Sequence, residues 1–171
     1  PPILLLSPMI QHLLGIGEPL LCPDLAFRAR PAAGARHDAD APYFCVTGSA
    51  AMDEYDLGAY AVLIRDLAAT TGLRPLLLYS KQDDSRLMAA MAEALPVGSY
   101  AAVNSKCMAT YDGILPILRD ARFVIGGRYH TAVTALAQAT PVILLPANTH
   151  KNEGLATMLG IVLPVHGLAD R

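Results

Sequence analysis

Short apolar runs alternate with amphipathic stretches along most of this chain, one pair about every twenty residues. Tyr43 to Val46 predicts a compact strand that ends in Thr47-Gly48-Ser49. A helix is predicted over Asp53 to Thr70, where Leu57, Ala61, Ile64 and Ala68 recur at helical spacing. Gly72 stops it. Pro75 to Tyr79 predicts the next strand. Asp84 is suited to cap a helix that turns Leu87, Met88, Met91 and Leu95 inward and ends at Pro96. Tyr100 to Val103 reads as a weaker strand. Tyr111 to Asp120 reads as a helix with Pro116 in an early turn. Then follow a strand at Arg122 to Ile125, a helix at His130 to Ala139 and a strand at Val142 to Leu145. A helix at Glu153 to Leu159 and a short strand at Ile161 to Leu163 complete the pattern. Upstream, Ile3 to Leu6 and Leu20 to Cys22 are strand-like, and Met9 to Leu14 suits a short helix.

Between Arg28 and Pro42 the pattern breaks into Ala, Pro and charge with no periodicity, which predicts a linker. The main domain boundary is therefore expected here, with 31–42 as linker and 43–171 as one Rossmann-like domain. The strands are nearly unbroken apolar runs, as expected when helices cover both faces of a sheet. Parallel strands need crossovers of this kind. The predicted fold class is α/β: an open, doubly wound parallel sheet. In such sheets ligands bind beyond the carboxyl ends of the strands. The loops in question are Thr47 to Ser49, Ser80 to Asp83, Gly126 to His130 and Ala147 to Gly154.

Composition narrows the classes further. With 53% hydrophobic and 16% charged residues, the 171-residue chain can bury a large core. A net charge of −2, with no basic stripe, sets nucleic acid aside as a partner. The apolar start, Pro1 to Ile16, is too short and broken to span a membrane, and it lacks a signal peptide's basic leader. The expected location is cytoplasmic, or peripheral to a membrane. Cys22, Cys45 and Cys107 are far apart and have no metal-ligand spacing. No metal site is expected, and oligomeric state is not legible.

The segment with the most chemistry is Gly126-Gly127-Arg128-Tyr129-His130-Thr131, at a strand-to-helix turn. Glycines allow a sharp turn and close backbone approach. A helix start favours an anion, and a guanidinium matches carboxylate or phosphate. In an extended entry turn, Arg128 and His130 can point one way while Tyr129 packs inward. The same residues also suit a tight turn with a surface arginine and a capping histidine. Lys151, in the next loop, could neutralise an anion held by Arg128 or simply be solvated. Ser49, in Thr47-Gly48-Ser49, could touch a phosphate. Asp83-Asp84 reads as helix capping and receives no catalytic role.

These residues, taken in order, resemble the polysaccharide pyruvyl transferases. That family shares a strand running into Arg-Leu-His, an Ala-rich helix, Pro with an apolar strand, a loop lysine and a Gly-Leu…Leu-Gly helix. Here the series is Phe123 to His130, Ala132 to Ala139, Pro141 to Leu145, Lys151, and Gly154-Leu155…Leu159-Gly160. Upstream, Ser7, Leu13 to Gly17 and Pro23-Asp24-Leu25-Ala26-Phe27 fit as well. Two departures are Tyr129, where Leu or Phe is usual, and Leu5-Leu6-Ser7, where Arg-Asp commonly precedes the serine. The resemblance implies the C-terminal half of a GT-B-like fold, with residues 1–30 as the tail of a preceding Rossmann-like α/β domain that is largely absent from this sequence. It implies transfer of pyruvyl from phosphoenolpyruvate to a sugar diol in polysaccharide biosynthesis. Phosphoenolpyruvate would be the donor substrate, a saccharide the acceptor, and no cofactor is called for. His130 and Arg128 would be catalytic; Gly126, Gly127, Thr131, Lys151 and Ser49 would bind substrate. Two alternatives stand beside it: a nucleotide-sugar glycosyltransferase domain of the same fold, needing an acidic residue such as Glu153 for a ribose, and a non-catalytic relative.

Overall fold

The computed structural model describes residues 25–49, 51, 56–79, 84–104, 113–147 and 149–160. The elements expected upstream of Leu25 and at Ile161 to Leu163, together with Cys22, Cys107 and the Ser80 to Asp83 loop, lie outside the described residues. A short 3-10 helix, Leu25–Arg28, comes first. The strands are β1 (Tyr43–Thr47), β2 (Arg74–Tyr79), β3 (Ala101–Asn104), β4 (Val124–Gly126) and β5 (Val142–Leu144). Between and after them lie α1 (Leu57–Thr71), α2 (Asp84–Ala94), α3 (Ile114–Asp120), α4 (Tyr129–Ala137) and α5 (Lys151–Met158).

The strands form one parallel sheet in the order β3-β2-β1-β4-β5. Side chains alternate across it with the period of two that a strand imposes. Phe44, Val46, Leu77 and Ile125 join Tyr60, Ala61, Ile64, Leu87 and Met91 in a core beneath α1 and α2. Tyr43, Cys45, Leu76, Leu78 and Val124 face the other way, onto Ile117, Leu118, Ala121 and Ala135 from α3 and α4. A third cluster, Tyr129, Ala132, Val133, Leu144 and Leu155, joins α4 to β5 and α5. The sheet is therefore covered on both faces, as its uninterrupted apolar strands predict.

Local chemistry sets the element ends. The helix expected from Asp53 begins at Leu57, because Asp56 is its N-cap and accepts the Ala59 N–H at 2.9 Å. Gly72 closes it in the left-handed conformation, φ 68°, and donates to the Ala68 carbonyl. Helix α4 ends at Ala137, two residues short of the expected end; Ala139 has turned to φ 62° and is exposed. Helix α5 starts at Lys151, ahead of the expected Glu153.

Residues 29–42 carry no helix or strand and lie against the domain. Gln138 donates to the Ala29 carbonyl at 2.8 Å, and Arg119 to that of Ala35 at 2.7 Å. The His37 N–H donates to the Asp120 carboxylate at 3.2 Å, and the His37 ring meets Tyr43 edge-on. Ala26 and Phe27 of the 3-10 helix pack against the third cluster.

Two predictions follow from this packing. Ile64 is fully buried between α1 and the sheet, so Ile64→Ala should cost about 2–5 kcal/mol in chemical denaturation, with an unchanged slope. The hydrogen bond from Arg119, helped by the His37 N–H, holds the Asp120 carboxyl below its ordinary value. A depressed carboxylate stabilises above its unfolded pKa, and that contribution is lost as pH falls through the folded one. Acidification into that range should move the His37 amide resonance toward its unfolded position, and Asp120→Asn should remove this acid transition.

Candidate functional site

The strand order reverses direction between β1 and β4, since β1 leads outward to β2 and β3 while β4 leads to β5. In an open α/β sheet such a switch point, at the carboxyl ends of the strands, is where a ligand crevice forms. The loops that meet there are Thr47 to Ser49 after β1, Gly126 to Arg128 after β4, and Leu145 to Ala147 after β5. Beneath them the buried Tyr60 hydroxyl donates to the Thr47 carbonyl at 3.0 Å and lies 3.3 Å from that of Ile125. One phenol thus ties the ends of both strands.

The two glycines have a steric reason. Gly126 sits at φ 152°, and a Cβ there would overlap the Thr47 hydroxyl and stand 2.5 Å from the Thr47 carbonyl oxygen. At Gly127 a Cβ would overlap the Pro146 carbonyl oxygen and stand 2.5 Å from Ser49 Oγ. Their close approach is to the protein's own loops. Main-chain bonds complete the interlock: the Gly127 N–H donates to Gly48 O at 3.1 Å, and the Leu145 N–H to Gly126 O at 3.1 Å. Ser49 is buried, its hydroxyl donating to Pro146 O at 2.9 Å and accepting the Ala51 N–H at 3.1 Å. It therefore acts here as a tie between two loops.

From this interlock the chain enters α4. Arg128 is the N-cap residue, extended at φ −83° and ψ 105°. Tyr129 is buried, as expected, and His130 is exposed in the first turn with Thr131 half-buried beside it. The first turn of a helix points N–H groups and a positive dipole end outward, toward the crevice mouth. The sequence left Arg128 either to point with His130 or to lie on the surface; its guanidinium lies on Asp84, with Nη2 donating to Oδ1 at 2.5 Å. The Arg128 side chain is 16% exposed and that of Asp84 0%. A buried carboxylate without a cation would be costly, so the arginine is drawn to it.

The head of α5 is tied to the same place. Asn152 is fully buried, and its Nδ2 donates to Leu145 O at 2.7 Å and to Gly127 O at 3.4 Å. Lys151, the residue before it, is exposed in that first turn. The structure thus places Gly126, Gly127, Arg128, His130, Thr131, Lys151 and Ser49 along one sheet edge around one switch point.

Sequence reasoning missed Asp84, Asn152 and Tyr60. For Asp84 a signal was present: Asp84, Leu87 and Met91 are spaced on one helical face, and that face is the core stripe. A charge on a core stripe demands a buried partner. Asn152 and Tyr60 carried no comparable signal, because their bonds are to carbonyls that only the tertiary fold brings near. The interlock predicts that Gly126→Ala cannot be absorbed. With backbone atoms of Thr47 in the way and φ positive, it should cost about 1–3 kcal/mol or more, measured by thermal and urea unfolding.

Among the described residues, no helix is long and apolar enough to cross a membrane. Among curated proteins no match to the sequence is found. Among solved structures, a K341M mutant of the O-GlcNAc transferase of Thermobaculum terrenum is similar in fold. The TM-score is 0.53 at 17% identity, covering 83% of this chain and 29% of that one. A glycosyltransferase neighbour agrees with the Rossmann-like, GT-B-type architecture. The sequence model of the polysaccharide pyruvyl transferases matches residues 6–148, from upstream of the 3-10 helix through the loop after β5. With most of its length matched, this chain belongs to the polysaccharide pyruvyl transferase family.

Proposed function

We propose that the switch-point edge binds phosphoenolpyruvate and supports pyruvyl ketal transfer to a sugar diol. The observation that carries this reading is the family match together with the placement of Arg128 and His130 on either side of Tyr129 at the start of α4. The donor bears a carboxylate and a phosphate on the same carbon. It needs cationic and N–H groups gathered in a small space, and a helix start with an arginine provides them. Lys151 at the head of α5 adds a second cation on the same edge.

In the proposed chemistry His130 delivers a proton to the methylene carbon of the enol, which becomes the methyl group. The neighbouring carbon becomes electron-poor and is attacked by one sugar hydroxyl and then, as the phosphate oxygen departs, by the other. Two carbon–oxygen bonds form and the bond to the phosphate oxygen breaks. Of the two hydroxyl protons released, one replaces the proton given by His130 and one leaves with inorganic phosphate. Arg128 holds an anionic group of the donor throughout, and its charge is worth most as phosphate leaves.

The test begins with calorimetry of phosphoenolpyruvate on this chain and on the full-length protein. Wild type should bind, and Arg128→Ala should weaken binding about 10–100-fold, the worth of a charged hydrogen bond at about 1.5–3 kcal/mol. In the full-length protein with a panel of saccharides, His130→Ala should keep donor binding and lower phosphate release by about 10²–10⁴. A full-length protein that ignores phosphoenolpyruvate and binds a UDP-sugar instead would overturn the reading in favour of glycosyl transfer.

A further inference from the structure

The Asp84–Arg128 pair joins elements that are distant in sequence and not adjacent in the sheet. Asp84 heads α2, which follows β2; Arg128 follows β4; and β1 lies between those strands. To reach Asp84 the arginine side chain must cross the carboxyl end of β1, over the loop that begins at Gly48. The carboxylate is fully buried, so the guanidinium is held at a fixed point above the switch rather than swinging in solvent. Nη2 is occupied by Asp84, while Nε beside it is buried and has no hydrogen-bond partner among the described residues. A buried N–H left unpaired is unusual and calls for an acceptor.

We infer that Asp84 is a positioning residue: it clamps Nη2 of the Arg128 guanidinium so that the remaining N–H groups, Nε–H among them, are held in a fixed plane toward an anion at the β1–β4 switch point. The anion belongs to the carboxylate or phosphate class. The inference takes Arg128 as the anion clamp and so rests on the reading of the site given above. A buried ion pair is a poor way to gain stability, since an apolar pair of the same volume does as well or better. Its use here is orientation: a planar guanidinium held at Nη2 presents its remaining N–H groups in a fixed plane. Asp84 touches no reacting atom.

The experiment uses protein labelled with ¹⁵N-arginine, with phosphoenolpyruvate and, separately, inorganic phosphate as probes. In wild type the Arg128 Nε–H should give a distinct resonance that shifts as either probe is added. Asp84→Asn keeps the side-chain shape and removes the charge. It should merge that resonance with those of exposed arginines and weaken both probes about tenfold or more. Asp84→Glu should recover part of the affinity. In turnover the Asn variant should raise KM for the donor more than it lowers kcat. Unchanged affinity alongside a lower melting temperature would make the pair a structural staple and overturn the inference. Tighter binding by the Asn variant would also overturn it, because Asp84 would then be masking the arginine. If Asp84→Asn does not fold, Asp84→Glu carries the test, and a Glu variant that alters neither resonance nor affinity overturns the inference. If wild type binds phosphate but not phosphoenolpyruvate, the pyruvyl reading fails, while the phosphate titration of the same variants still decides the role of Asp84.

Discussion

The contact on which the rest of the site depends is the one between Gly126 and Thr47. Two parallel strands running side by side would normally let their loops diverge beyond the last hydrogen bond. Here there is no room even for a methyl group between the end of β4 and the end of β1. Gly127 continues the contact onto Ser49 and Pro146, so the loops after β1, β4 and β5 are locked into one unit. The Tyr60 hydroxyl pins this unit from below, and Asn152 ties the head of α5 to it. Helix starts are useful for binding anions only if they are held still. Each N–H contributes through its direction, and a loop that sways averages that direction away. The glycines matter less for what they let a ligand do than for how firmly they fix the start of α4.

The same economy of space explains the composition of α4. A helix lying against a sheet that is already close-packed needs small residues on its inner face. Ala132, Ala135 and the buried Thr134 provide them, while Val133 and Tyr129 fill the gap toward β5 and α5. Thr134 would be an expense in that position, but its hydroxyl donates to the His130 carbonyl one turn back. That bond satisfies a polar group in the core and also braces the turn that carries His130.

Much of the fold was legible because burial on two faces leaves an unmistakable pattern. Phe44, Cys45 and Val46 are apolar in succession, which a one-sided sheet would not tolerate, and α1 shows Ala61 and Ile64 at helical spacing. Strand order was not legible, since period and propensity say nothing about which strand lies beside which. The site was legible as a segment but not as a geometry. Gly126 to Thr131 announced a turn before a helix, and the family resemblance gave its residues roles. That Arg128 turns to Asp84, and that Ser49 faces Pro146, depends on contacts spanning 44 and 97 residues. Such contacts are set by the sheet order and have no local signature. Asp84 was read as a cap because Asp at a helix start usually is one; the three-residue step to Leu87 on the same face was the signal that it would also be buried.

A Rossmann-like domain of this kind is chemically permissive, and its likeness in fold to a glycosyltransferase is consistent with that. The helix starts that would receive phosphoenolpyruvate would equally receive a diphosphate. What separates the two donors is the rest of the molecule. A nucleotide brings a ribose whose hydroxyls want a carboxylate, whereas phosphoenolpyruvate brings a second anion that a carboxylate would repel. Among the described residues around this switch point, the buried acid Asp84 is already joined to Arg128, and Glu153 is exposed on α5. Among the described residues on this edge, Arg128 and Lys151 are matched in charge by Asp84 and Glu153. What would set the edge apart is that its buried acid is already engaged and that His130, in the proposed reading, adds a proton donor a simple diphosphate clamp would not require. On the proposed reading such a site would suit a compact donor with two anionic groups more than a nucleotide, and its engaged acid would orient the arginine that this donor meets.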